Sequence, residues 1–120
     1  MKLLTKSNRE QLLRNGRVRL AHMEQGGEAE PDFLPVVKLF TPDAACTWLL
    51  SELDPEEPDI AFGLCDLGMG CPELGSVSIS ELESVRGRLG LPIERDRHFE
   101  AQKTLTAYAR DARAHRRITA

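Results

Sequence analysis

The chain has 120 residues, 41% of them hydrophobic and 29% charged, with a formal net charge of −3. That is enough chain for one domain with one core, and too balanced a composition for a disordered protein or a bulk nucleic-acid coat. No run approaches the roughly 18–20 apolar residues that cross a bilayer, and at 5% aromatic content the core must be built from Leu, Val and Ile.

Met1 to Lys6 has no long apolar stretch and no small-residue cleavage site, so no signal peptide is expected. Three cysteines, an odd number, fit a reducing compartment better than a disulfide framework, and the expected location is cytoplasmic. The first 22 residues carry six bases against one acid, and the end of the chain is again basic, from Arg113 to Arg117. A local basic face would form if the two ends met in space.

In chain order, Ser7-Asn8-Arg9-Glu10 has the form of a capping box and predicts a short helix with Leu12 and Leu13 on its buried side, stopped at Asn15-Gly16. Arg17 to Met23 fits either a helix or an extended segment. Glu24 to Asp32 is a polar loop. Leu34 to Phe40, Thr47 to Leu53, Ile60 to Leu67 and Glu73 to Ile79 read as strands, joined by connections too short for crossover helices. Ser80-Glu81-Leu82-Glu83 is a second capping box, opening a helix to about Arg86 that Gly87 stops. Arg88 to Phe99 is a charged connector lying across the sheet. Ala101 to Arg117 is the final helix, its apolar stripe made by Leu105, Tyr108, Ala109 and Ala112. The expected fold is a single α+β domain: a four-stranded antiparallel meander flanked by N-terminal, short middle and longer C-terminal helices.

Several of these segments together carry a resemblance: Met1 to Lys6, Val36 to Pro42 with Trp48 behind it, Phe62-Gly63-Leu64, Glu73-Leu74-Gly75, and above all Leu82 to Asp96. They are similar to a bacterial domain-of-unknown-function family, number 2958, over about residues 1–105. The resemblance implies a folding plan and a setting on plasmids and other mobile genetic elements, with no reaction, cofactor or catalytic residue to carry over. Members of that family tend to have aromatics where this chain has Cys71 and Ser76. That implies a tolerated replacement at Cys71, and a thinner stacking surface.

Cys46, Cys65 and Cys71 with His22, His98 and His115 lack the paired spacing of a structural zinc site, so no metal is expected. Glu94, Asp96 and His98 are the candidates for acid–base chemistry, provided folding brings them within hydrogen-bond reach, and the acids Glu52 and Asp54 at a strand end could join them across the sheet. The commoner use of such alternating charges is in salt bridges and loop anchors. Arg86, Arg88, Arg95 and Arg97 could grip phosphates or an acidic partner, because guanidinium forks match such oxygens. Trp48 and Phe40 could add a stacking surface if exposed, although a tryptophan between Thr47 and Leu49 in a strand more often packs inward. Gly87, Gly90 and Pro92 read as backbone geometry.

These features predict a non-enzymatic binding or adaptor module with a protein partner and no cofactor, recruiting through the arginine connector and the basic final helix. Inhibition of a host defence system is one role the implied setting offers. Nucleic-acid binding, and a small enzyme using the Glu/Asp/His cluster, are the alternatives.

Overall fold

The structure is a computed structural model describing residues 2–27 and 29–120; Met1, and Glu28 in the expected loop, lie outside the described residues. Five antiparallel strands form one sheet in the order β4-β3-β2-β1-β5. They are β1 Val37–Phe40, β2 Thr47–Leu53, β3 Ile60–Asp66, β4 Glu73–Ser78 and β5 Glu94–Arg95, accompanied by helices α1 Lys6–Gln25, α2 Ile79–Ser84 and α3 Leu105–His115. The meander of four is as expected. The fifth strand is an addition: the middle of the supposed connector pairs with β1, Arg95 opposite Leu39 and Glu94 opposite Phe40.

Helix α1 departs most from expectation. It begins two residues early, because Thr5 and Asn8 cap each other: the Asn8 amide donates to Thr5 Oγ1 at 3.0 Å and the Thr5 amide to Asn8 Oδ1 at 3.1 Å. Burial of Leu3 and Leu4 fixes where the chain enters. The helix then runs through Asn15-Gly16 to Gln25, so these residues are not its stop. Strand β1 pairs with β2 only as far as Leu50, and beyond that point α1 occupies the vacated side. The Asn15 amide donates to the Ser51 carbonyl at 2.9 Å. At Gly16 a Cβ would stand 1.8 Å from the Leu53 carbonyl oxygen. Glycine is required there for contact, although mid-helix it costs about 1 kcal/mol relative to alanine.

The sheet separates two packed layers. Trp48, Leu50, Leu53 and Ala61 join Leu12 of α1 and Leu82 of α2 on one side. Leu49 and Leu64 join Leu105, Tyr108, Ala109 and Ala112 of α3 on the other. Each fully buried leucine contributes about 1.5–3 kcal/mol. A bulge sets the order in β2: Leu50 pairs with Gly63 and Glu52 with Phe62, leaving Ser51 as the extra residue. Leu50 and Leu53, three apart, therefore reach the same layer.

The remaining boundaries have local causes. Pro35 has no amide to give, and the ladder opens with Val36 donating to Leu50. Helix α2 starts from Ser78, whose hydroxyl accepts from the Glu81 amide at 3.2 Å, and it ends at Val85, before Gly87. The Ser80 amide and both the Ser78 and Ser80 hydroxyls donate to Asp59, and these bonds hold the Asp59 carboxyl below its ordinary pKa. Helix α3 is shorter than the segment Ala101 to Arg117 because Leu105 already donates to the Phe33 carbonyl and Thr106 to the Asp32 carboxylate. Its capping acid thus comes from 74 residues away.

Candidate functional site

The chain leaves α2 into a tight hairpin closed by an Arg86–Pro92 bridge. Gly87 donates to the Leu91 carbonyl and Gly90 to that of Gly87, each at 2.9 Å. The hairpin is fastened from outside by Asp43, in the turn between β1 and β2. Asp43 Oδ2 accepts from the Leu89 amide at 2.7 Å and the Leu91 amide at 3.4 Å. A Cβ at Gly87 would meet Asp43 Oδ1 at 1.6 Å, so only glycine admits the carboxylate. On this anchored backbone Leu89 stands 76% exposed, with Val85 and Leu91 also open to solvent.

The four arginines divide. Arg88 and Arg97 are exposed. Arg86 donates to the carbonyls of Glu83 and Val85 at the end of α2, at 3.1 and 2.8 Å, while its residue remains exposed. Among the described residues no carboxylate lies within ion-pair distance of these three. Arg95 turns inward: it donates to the Leu3 carbonyl, and Glu83 accepts from the Leu3 amide at 3.0 Å. Arg95 is therefore committed to holding the N-terminal segment.

Glu94, Asp96 and His98 do not converge. Asp96 accepts from the His98 backbone amide at 2.9 Å and lies 3.8 Å from Lys38 Nζ. It borders an open cavity with Lys38, Arg116 and Arg117 that neither Glu94 nor His98 lines. Both of those residues are exposed. The arrangement is a loop anchor. Trp48 is 4% exposed and belongs to the core, so it offers no face for stacking. The two basic stretches do not form one patch either, because Leu12 of α1 and the stripe of α3 pack on opposite sides of the sheet.

Among the described residues no three His, Cys, Asp or Glu side chains stand where they could share a metal ion. Burial pushes the Cys65 thiol up to about 11, leaving on the order of 0.1% thiolate at pH 8, whereas Cys71 is exposed. Iodoacetamide at pH 8 is therefore expected to label Cys71 of the native protein well before Cys65, read by peptide mass spectrometry. Equal rates at the two would mean that β3 opens readily.

Two features escaped the sequence. Asp43 is 46 residues from the amide it holds, and nothing local marks it. Glu52, expected with Asp54 to join the Glu94–His98 cluster across the sheet, is instead 5% exposed and ion-paired to Arg19 of α1 at 2.6 Å. Burial raises the Glu52 carboxyl pKa, with the Arg19 charge and hydrogen bond opposing it. Arg19 also lies 5.8 Å from the Phe33 ring centre and 5.9 Å from that of Phe62.

Fold and site together define a small α+β protein with packed layers on both sides of an antiparallel sheet and a braced, arginine-bearing hairpin. The chain belongs to the family described as protein of unknown function (DUF2958), whose model matches residues 3–119. No curated protein and no solved structure matches it. No helix among the described residues is long and apolar enough to cross a membrane.

Proposed function

We propose that this chain is a protein-binding module whose recognition element is the hairpin from Val85 to Pro92. The observation that carries the reading is Leu89, 76% exposed on a backbone that the Asp43 carboxylate already holds in place. A leucine at the tip of a restrained turn suits a partner's apolar pocket, and restraint before binding reduces the entropy lost on docking. Arg86 and Arg88 flank it without carboxylate partners among the described residues, so the partner surface is acidic around that pocket. The nucleic-acid alternative keeps only the half-buried Phe40 of its two aromatics, Trp48 being in the core. An adaptor serving a mobile element, with inhibition of a host defence system as one such role, is the finer version of this reading; the setting that the resemblance implies supports it, and no side chain does.

The test is capture from an extract of the native host, with and without nuclease, comparing the wild-type chain with Arg88→Glu and Leu89→Asp. A nuclease-resistant partner that binds the variants about 30-fold more weakly, the scale of a 2 kcal/mol hot spot, supports the hairpin. A partner held equally by all three overturns it. Asp43→Ala is expected to speed amide exchange at Leu89 and Leu91 and to weaken the same complex about tenfold, though Asp43 faces the hairpin rather than the partner.

A further inference from the structure

We propose that the cavity between α1 and the β2–β3 turn receives the hairpin of a second copy of this chain, Leu89 filling it and Arg86 and Arg88 meeting the acids at its mouth. The inference rests on the reading of the hairpin as a recognition element, and it names the partner. That reading calls for an apolar pocket in an acidic surface, and the chain itself carries one.

The cavity has a volume of about 300 Å³, at the lower end of the range for small-molecule sites and ample for the side chain of one leucine. Its walls are apolar: Leu20 and Met23 of α1, Pro55 of the turn, and Ile60 and Phe62 of β3. Each of these is half-buried or exposed, Met23 to 70%. Asp54 and Glu56 line the same cavity, and Glu57 follows them in the turn. All three acids are exposed, and among the described residues none has a cation within ion-pair distance. Arg19, the cation of the lining, is already engaged, with Nε donating to Glu52 at 2.6 Å and Nη2 to the Pro31 carbonyl at 2.9 Å.

Hairpin and cavity stand at opposite ends of β2. Asp43 holds the hairpin at the turn before this strand, and the cavity opens beside Pro55, just after it. The seven residues between span roughly 23 Å at about 3.3 Å each, so the two surfaces of one molecule do not meet. Each lacks what the other offers. At one end a leucine stands 76% exposed between guanidiniums without carboxylate partners; at the other an apolar hollow is rimmed by carboxylates without cations. Docking buries Leu89 beside Met23 and sets each group of charges against its opposite. Because different surfaces meet, a bound pair keeps one free hairpin and one free cavity, and association continues past the dimer. One hairpin in one cavity is a small contact, of the weak and transient class.

Sedimentation velocity of the purified chain alone, from about 10 µM to about 1 mM, is the test. The wild type is expected to pass from monomer to dimer and larger species across that range. Leu89→Asp and Glu56→Arg, both at exposed positions, are expected to weaken association about 30-fold and about tenfold. Mixed in equal amounts, the two variants retain one intact cavity and one intact hairpin between them. They should form a one-to-one complex of wild-type affinity that grows no further. Isotopically labelled Leu89→Asp is expected to show saturable shifts at the amides of Leu20, Ala61 and Ser76 when unlabelled Glu56→Arg is added. A wild type that stays monomeric throughout overturns this proposal, as does association undiminished in Leu89→Asp or a mixture no tighter than either variant alone. The reading of the hairpin itself falls only if a partner captured from the host extract is also held equally by Leu89→Asp.

Discussion

Gly16→Ala is expected to destabilise the protein by about 3 kcal/mol, lowering its melting temperature by roughly 10 °C or more, although alanine is the better helix former by about 1 kcal/mol. The new methyl carbon would stand 1.8 Å from the Leu53 carbonyl oxygen, 3.0 Å from its carbon and 3.1 Å from Pro55 Cδ. The first two are backbone atoms of β2, so no rotamer change relieves the clash. Either α1 withdraws, lengthening the Asn15 bond to Ser51, or the end of β2 bends. Gly75→Ala is the control: nothing lies within 4 Å of its added carbon, and the change is expected to stay within about 0.5 kcal/mol. Thermal and urea unfolding of both variants measures the difference. A Gly16→Ala protein as stable as wild type would show that helix and strand do not touch there.

The second large effect is a pH-dependent one. Arg19→Met keeps an apolar chain near Phe33 and Phe62 and leaves Glu52 buried without its cation. Breaking such a pair by removing one partner costs about 3–5 kcal/mol, and here that loss is expected near pH 8 but largely absent near pH 4. The sign follows from the direction of the shift. Burial raises the Glu52 carboxyl above its ordinary 4.5, with Arg19 opposing. Removing Arg19 raises it further. Between the unfolded and folded values the native state holds more protons than the unfolded chain. Stability therefore falls as pH rises through that window and returns when the pH drops below the unfolded value. Chemical denaturation of wild type and variant across this range tests the claim. The double variant Arg19→Met with Glu52→Gln should lose the extra slope; if the slope persists, it belongs to another group.

What the sequence disclosed depended on whether the cause was local. Strand β2 spans Thr47–Leu53 as its composition indicated, and all four residues of the stripe expected on α3 are buried. These are properties of alternation and helical spacing, carried by neighbouring residues. Asn15-Gly16 misled because a glycine that ends a helix and one pressed against a strand look alike until the strand is in place. Strand β5 was invisible for a related reason: Glu94-Arg95 has no strand composition, and its pairing is conferred by the open edge of β1. Of the arginines, Arg88 stands free as an arginine fork would need, while Arg95 is spent on Leu3. Nothing in its neighbours separates the two. Glu52 lay within a stretch of acids, and only the bulge and the approach of α1 distinguish it from the exposed Asp54 and Glu56.

The bulge at Ser51 has an unusual arithmetic. Removing one residue from a strand normally reverses every side chain beyond the cut. Here Glu52 already faces Phe62 and Leu53 already faces Ala61, the partners they would have in an uninterrupted ladder following Leu50 opposite Gly63. Excising Ser51 would leave the pairing of β2 with β3 whole and remove the carbonyl that Asn15 grips. Beside the Gly16 contact with Leu53 and the Arg19–Glu52 pair, the helix is thus tied to the sheet by a residue the ladder does not need. One residue inserted in an otherwise regular hairpin is enough to supply that carbonyl, so this one attachment can be gained or lost in a single step without rewriting the strands themselves.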